Sequence, residues 1–233
     1  MMEKSAIFDK AKKEGRSILT EFESKRFLSQ VGIPVVETRL AASQTEAVSI
    51  SQRIGFPVVL KIISPDVVHK TDSGGVKLGL KNPSEVKKAY KDILKSVKKK
   101  HPRTVIHGVS VQKMAPPGTE VIIGTSKDPQ FGPVIMFGLG GIFVEVLKDV
   151  SFRVIPVNRR DAQEMIHEIK GFPLLQGFRG KEPANISALV EMILKISKLI
   201  DRNPQIKEME LNPIFAYKDK ALAVDARIVL EGS

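Results

Sequence analysis

The sequence predicts an α+β (mixed α/β) protein built from two lobes, and three observations carry that expectation. Up to His107, segments of helical period alternate with short β-branched runs. From Val109 the pattern changes to strands that follow one another closely. The chain then closes on a hairpin, Lys207–Ala216 and Ala221–Val229, around the turn signal Lys218-Asp219. We place the lobe boundary near His107-Gly108, giving a lead at 1–19, a smaller lobe at 20–107 and a larger one at 108–233. A chain of 233 residues is long enough for one large domain or two such lobes.

The elements follow from local chemistry. Residues 1–19 read as a polar, partly helical lead. Thr20-Glu21-Phe22-Glu23 is a capping box that opens a helix, which Gly32 and Pro34 end. Ile33–Leu40 reads as a strand, and Ser43 with Glu46 caps a short helix ending at Gly55. Val58–Ile63 is a β-branched run of the kind that forms a buried strand. A polar loop, His69–Gly75, separates it from the strand Val76–Leu80. Val86, Ala89, Tyr90, Ile93, Leu94 and Val97 then recur at helical spacing, behind the cap residues Asn82 and Glu85 with Pro83 in the first turn. Strands are expected at Val109–Met114, Glu120–Thr125 and Pro133–Leu139, and helices at Arg160–Lys170 and Ile186–Ile200.

Composition narrows the function classes. The net charge is +11, yet residues 81–103 hold nine basic residues against Glu85 and Asp92, which accounts for +7 of it. That excess is the solvated side of one amphipathic helix. A basic stripe is also the electrostatic footprint of nucleic-acid binding. With two Tyr and no Trp, however, there are no aromatic pairs among the lysines to stack bases. The absence of cysteine excludes disulfides, thiolate metal sites and a cysteine nucleophile. No apolar run approaches the roughly 20 residues of a membrane helix, and the N-terminus lacks the apolar core of a signal peptide. The expectation is a cytoplasmic protein without membrane or nucleic-acid partners.

Candidate chemistry gathers in several segments. In Glu210-Leu211-Asn212-Pro213, with Asp225 thirteen residues after Asn212, a two-residue turn sets Tyr217 against Lys220 and Asn212 against Asp225. Glu210 then leaves the same strand face as Asn212. Two carboxylates and an amide oxygen suit Mg²⁺. The competing reading is an edge strand with a polar face, and a one-residue slip would send Asn212 and Asp225 to opposite faces. Lys61, inside an apolar strand, must either snorkel out or meet a negative partner such as a nucleotide phosphate. His69-Lys70-Thr71-Asp72-Ser73-Gly74-Gly75 follows, where paired glycines would let backbone N–H groups point at phosphate oxygens and Lys70 and Thr71 add donors. By itself this is equally a polar turn. A neutral imidazole at His69 is a nucleophile able to carry a phosphoryl group. The Pro/Gly linker after Gln112, Lys113, Met114 and Ala115 could offer backbone groups to an adenine edge, or be an ordinary loop. Gly138-Leu139-Gly140-Gly141 reads as a close-approach turn. Glu145 and Asp149 suit metal or solvent equally, and Arg179 suits a phosphate contact or a braced turn.

In order, these segments resemble an ATP-grasp protein over about residues 20–230, and more narrowly the β subunit of ADP-forming acetyl-CoA synthetase (acetate–CoA ligase, ADP-forming). The most specific segment is His69-Lys70-Thr71-Asp72-Ser73-Gly74-Gly75-Val76. Phe56-Pro57-Val58-Val59-Leu60-Lys61 and the closing hairpin with Ala223-Val224-Asp225-Ala226-Arg227 support it. The resemblance implies an ATP-grasp fold of two mixed lobes with ATP or ADP bound between them. It implies that Lys61 neutralises phosphates, that Gln112–Ala115 borders adenine and that Glu120 binds ribose. Asn212 and Asp225 would hold Mg²⁺, with Glu210 as a further ligand or a supporting group. The implied reaction is acyl-CoA + ADP + phosphate ⇌ carboxylic acid + CoA + ATP, with His69 as the second phosphohistidine of a relay. The CoA-binding half and the first histidine belong to an α subunit, in an α₂β₂ assembly. Two alternatives stand beside it: another ATP-grasp carboxylate ligase, and a non-enzymatic basic module binding nucleic acid or an acidic partner.

Overall fold

Two antiparallel sheets organise the chain, each the framework of one of two structural units in the computed structural model. The structure describes residues 2–67, 70–141, 147–178, 180 and 182–232. One unit comprises residues 20–23 and 36–116, and the other residues 1–19, 24–35 and 117–233. This division differs from the expected boundary at His107-Gly108. The strand Gly108–Lys113 pairs with Thr38–Ala41 on one side and Val58–Ile63 on the other, so it joins the smaller unit. The N-terminal lead is a helix, Met2–Lys13, whose Ile7, Phe8 and Ala11 lie in the core of the larger unit.

The smaller unit carries β1 (Thr38–Ala41), α3 (Gln44–Ile54), β2 (Val58–Ile63), β3 (Val76–Leu80), α4 (Pro83–Lys100) and β4 (Gly108–Lys113). The preceding helices are α1 (Met2–Lys13) and α2 (Glu21–Gln30). Strand order is β1-β4-β2-β3. β2 is central and buried along its whole length, which its run of β-branched residues required. The expected strand at Ile33–Leu40 is shorter and later, at β1. Helix α3 starts where the Ser43 side chain accepts the Glu46 N–H and stops at Gly55, whose φ of 83° suits a residue without Cβ. Helix α4 starts on Asn82, with Pro83 in its first turn, and buries Val86, Ala89, Tyr90, Ile93 and Val97. Its lysines point outward, and Lys98, Lys99 and Lys100 sit at the negative end of the helix dipole. Burying a side chain such as Ile93 or Val97 contributes about 1.5–3 kcal/mol, and these contacts hold the helix to the sheet.

The larger unit carries β5 (Thr119–Asp128), β6 (Gly132–Leu139), β7 (Val150–Val154), α5 (Arg159–Glu168), α6 (Phe172–Leu175), α7 (Ile186–Asp201), β8 (Ile206–Ala216), β9 (Ala221–Ala223) and β10 (Arg227–Leu230). Its sheet runs β10-β8-β5-β6-β7, with β9 also on β8. Alternation decides which face is core. Val121 and Ile123 of β5, Ile135, Phe137 and Leu139 of β6, and Leu211 of β8 join Met165 and Ile166 of α5 and Leu189, Ile193 and Ile196 of α7 in one cluster. Their neighbours Ile122, Gly124, Val134, Met136, Glu208 and Glu210 leave the opposite face. Two elements were not expected from the sequence: the edge strand β7 and the four-residue helix α6.

Candidate functional site

In the smaller unit, Lys61 projects from β2 with 6% of its surface exposed. Its ammonium lies 2.7 Å from Oε1 of Glu21, whose side chain is fully buried. Oε2 of the same carboxylate lies 2.9 Å from Nζ of Lys70. The expected negative partner of Lys61 therefore includes a residue that sequence reasoning used only as part of a capping box. That box is present: Glu23 Oε2 accepts the Thr20 N–H at 2.8 Å and Thr20 Oγ1 accepts the Glu23 N–H. Glu21 is the first residue of α2, and its side chain turns toward β2. The available signal was a carboxylate at a first helical turn, which by itself says nothing about a lysine 40 residues away.

His69, the expected phosphoryl carrier, lies outside the described residues. Its successors form a closed turn. Gly74 N–H donates to Thr71 O at 2.9 Å and Gly75 N–H donates to Lys70 O at 2.7 Å. This corrects the expectation that these glycine amides face phosphate oxygens, because the turn's own carbonyls already accept them. Gly75 is needed for closeness instead: a Cβ there would lie 2.6 Å from Ile62 Cγ2. The loop is also held at its tip, where Ser73 Oγ meets His101 Nε2 at 3.1 Å and Lys100 Nζ donates to Asp72 O. Thr71 is exposed. Ahead of the loop, Asp66 Oδ2 accepts the Val105 N–H and the Thr104 hydroxyl, both at 2.9 Å. The Val105 N–H first, then Thr104, hold the Asp66 carboxyl below the ordinary aspartate range.

The expected adenine-bordering residues close this unit. Gln112 is buried at the end of β4, opposite Val59. Lys113 turns its ammonium back onto Gly55 O at 2.9 Å and Phe56 O at 3.3 Å, satisfying carbonyls at the end of α3. The Met114 N–H donates to Pro57 O, so that donor is taken within the fold. Met114 and Ala115 are half-buried.

The expected metal ligands all belong to the larger unit. Pairings on both sides of the closing hairpin keep one register: Ala223 faces Ile214, and Arg227 faces Glu210. The Tyr217 N–H donates to Lys220 O at 2.8 Å, as the two-residue turn requires. The continuous second strand expected at Ala221–Val229 is instead split into β9 and β10. Pro213 has no N–H for the ladder, and the interval 224–226 leaves the strand. The register shared by these pairings assigns Asp225 to the position across from Asn212. Asn212 Nδ2 donates to Glu210 Oε1 at 3.1 Å, which orients the amide. Asp225 Oδ1 accepts the N–H of Ala226 at 2.8 Å. Glu210 lines a groove of about 280 Å³ on the outer sheet face, with Ile122, Met136, Phe152, Glu208 and Arg227. Glu210, Asn212 and Asp225 are half-buried and carry hard oxygens, donors of the kind that suits Mg²⁺. No group of three or more His, Cys, Asp or Glu with metal-binding spacing occurs among the described residues.

The remaining candidates separate into structure and site. Glu120 is exposed, and its carbonyl accepts the Gly140 N–H at 2.8 Å. A Cβ on Gly140 would meet Glu120 Cβ at 3.1 Å, so the expected close approach is made by the chain on itself. Asp149 is 9% exposed and accepts the backbone N–H groups of Lys170 and Gly171, each at 2.7 Å. Both its oxygens brace the turn after α5. Glu145 and Arg179 lie outside the described residues.

The buried strand lysine belongs to the smaller unit and the carboxylate–amide pair to the larger one. The sequence model of the ATP-grasp domain matches residues 10–230, and the chain belongs to the ATP-grasp family. Within that family it is 52% identical over 224 residues to the β subunit of acetate–CoA ligase (ADP-forming) I of Pyrococcus furiosus, across 96% of each chain. Its fold matches acetyl-coenzyme A synthetase 1 of Ca. Korarchaeum cryptofilum, solved with coenzyme A and Ca-AMPCP. That match has a TM-score of 0.95 and 52% identity, over 97% of this chain and 99% of the other. A second structure of that synthetase, with coenzyme A and Mg-AMPPCP and its phosphohistidine segment pointing towards the nucleotide-binding site, matches with a TM-score of 0.87 and 49% identity. It covers 98% of this chain and 100% of the other.

Proposed function

We propose that the chain is the nucleotide-binding β subunit of an ADP-forming acyl-CoA synthetase of the acetate–CoA ligase type, working in the cytoplasm with a CoA-binding α subunit as α₂β₂. The carrying observation is near-full-length similarity to such a β subunit in a chain whose sequence has His69 between Lys61 and Gly75. The reaction is acyl-CoA + ADP + phosphate ⇌ carboxylic acid + CoA + ATP. A phosphoryl group reaches His69 from a histidine of the α subunit. The P–N bond at His69 then breaks as a β-phosphate oxygen of ADP forms the new P–O bond, and the imidazole returns to its neutral form. Such a transfer is mostly positioning and charge stabilisation. Lys61 and Lys70 supply positive charge at the phosphates, Gln112–Ala115 borders the adenine, and Glu120 takes the ribose hydroxyls. Asn212 and Asp225, with Glu210, would hold Mg²⁺, whose chemistry here is to neutralise phosphate oxygens.

The test mixes the chain with α subunit phosphorylated by labelled acetyl phosphate, without ADP, and maps acid-labile label by mass spectrometry. Label is expected on His69, and it chases into ATP when ADP and Mg²⁺ are added. An unlabelled His69, with ATP still formed by the His69→Ala protein, would overturn the relay.

A further inference from the structure

The Lys61–Glu21–Lys70 cluster has a geometry that phosphate binding alone does not require. One carboxylate divides its two oxygens between two ammonium groups, Oε1 to Lys61 at 2.7 Å and Oε2 to Lys70 at 2.9 Å. Its side chain has no exposed surface, whereas that of Lys61 is 8% exposed and that of Lys70 19%. A carboxylate removed from water costs several kcal/mol unless partners replace its hydration. Here the replacement comes from two segments far apart in sequence: the central strand β2 and the start of the 70–75 loop. Two ammonium groups against one carboxylate also leave the cluster positive, so an incoming phosphate meets attraction in spite of Glu21.

We propose that Glu21 is a positioning residue that holds Lys61 and Lys70 side by side, and that its bridge to Lys70 latches the 70–75 loop onto β2. The backbone of Lys70 already accepts the Gly75 N–H, so the side-chain bridge fixes the second end of the same residue. The loop tip is tied separately through Ser73–His101 and Lys100–Asp72, which leaves Lys70 as the point where the loop start can be released. A phosphate competes with Glu21 for the two lysines: it takes over the positive charge, and the latch loosens as the site fills. This inference rests on the reading of Lys61 and Lys70 as phosphate-facing lysines.

Trypsin provides the test, because it cleaves after Lys70 only when that side chain can leave Glu21 and enter the protease. In the Glu21→Gln chain, which keeps the shape but loses the charge, cleavage at Lys70-Thr71 is expected to rise about tenfold. Cleavage after Arg202, exposed at the end of α7, should stay at the native rate. Glu21→Asp, which keeps the carboxylate, should restore most of the protection. Binding of ADP to Glu21→Gln should tighten about threefold, since the competing carboxylate is gone. An unchanged rate at Lys70-Thr71 would overturn the latch. Acceleration at both bonds alike, or weaker ADP binding by the variant, would show a general structural role and would overturn it too. The cleavage comparison needs neither nucleotide nor partner, so it judges the latch even if native chain fails to bind ADP, a result that would sink the functional reading instead.

Discussion

Asn212 and Glu210 engage one another through the amide hydrogen bond, and Glu210 lines the groove on the outer face of the sheet. In the proposed metal site Asp225 is the third hard donor. Replacing Asn212 or Asp225 by Ala should therefore weaken ADP binding in the presence of Mg²⁺ by about tenfold and change metal-free ADP binding little. Titration calorimetry with and without Mg²⁺ measures this directly; equal losses in both conditions would argue for a packing role. At the same scale, Asp149 shows how residue type alone misleads. As an acidic residue after a glycine turn it suited metal or solvent, yet its two oxygens cap backbone N–H groups at 170–171. The Lys113 ammonium likewise has a local structural duty, at the end of α3.

Helices α3, α4, α5 and α7 begin on Ser43, Asn82, Asn158 and Asn185, and each cap accepts an N–H three residues on. The first two caps were read from the sequence, because a cap and its helix are neighbours along the chain. The β7 strand escaped for the opposite reason. It is a five-residue edge strand whose Phe152 is 55% exposed and Val154 49%, so apolar alternation does not report one buried face. Arg153 of β7 pairs with Glu168 of α5, donating from Nη1 to Oε2 at 2.9 Å. The Arg153 hydrogen bond lowers the Glu168 carboxyl pKa below the ordinary glutamate value. A lowered folded value means that the pair stabilises fully above the unfolded glutamate pKa and loses that effect as pH falls through the folded one. The Glu168→Gln chain should then be less stable at neutral pH by under about 1 kcal/mol, since both partners are partly solvated. Thermal unfolding across pH checks this: the difference from native chain should vanish in strong acid.

For the whole molecule, the assignment makes an asymmetric prediction. The chain alone should bind ADP with Mg²⁺ yet form no ATP from acetyl-CoA, ADP and phosphate, and addition of the α subunit should restore turnover. Coupled ATP assays on the separate and mixed subunits measure this, and turnover by the chain alone would refute the division of labour. The sequence by itself determined the two-lobe mixed fold, β2 and β3 at their observed bounds, the register of the closing hairpin and the family motifs. These depend on period, caps and turn chemistry among residues close along the chain. Only the tertiary structure decided that β4 joins the smaller unit while residues 24–35 and the N-terminal lead join the larger one, that the hairpin's second strand breaks at 224–226, and that Glu21 sits between two lysines. Those outcomes depend on which distant segments share a sheet or a buried charge. Glu21 is separated from Lys61 by 40 residues and from Lys70 by 49, and no local pattern records that meeting.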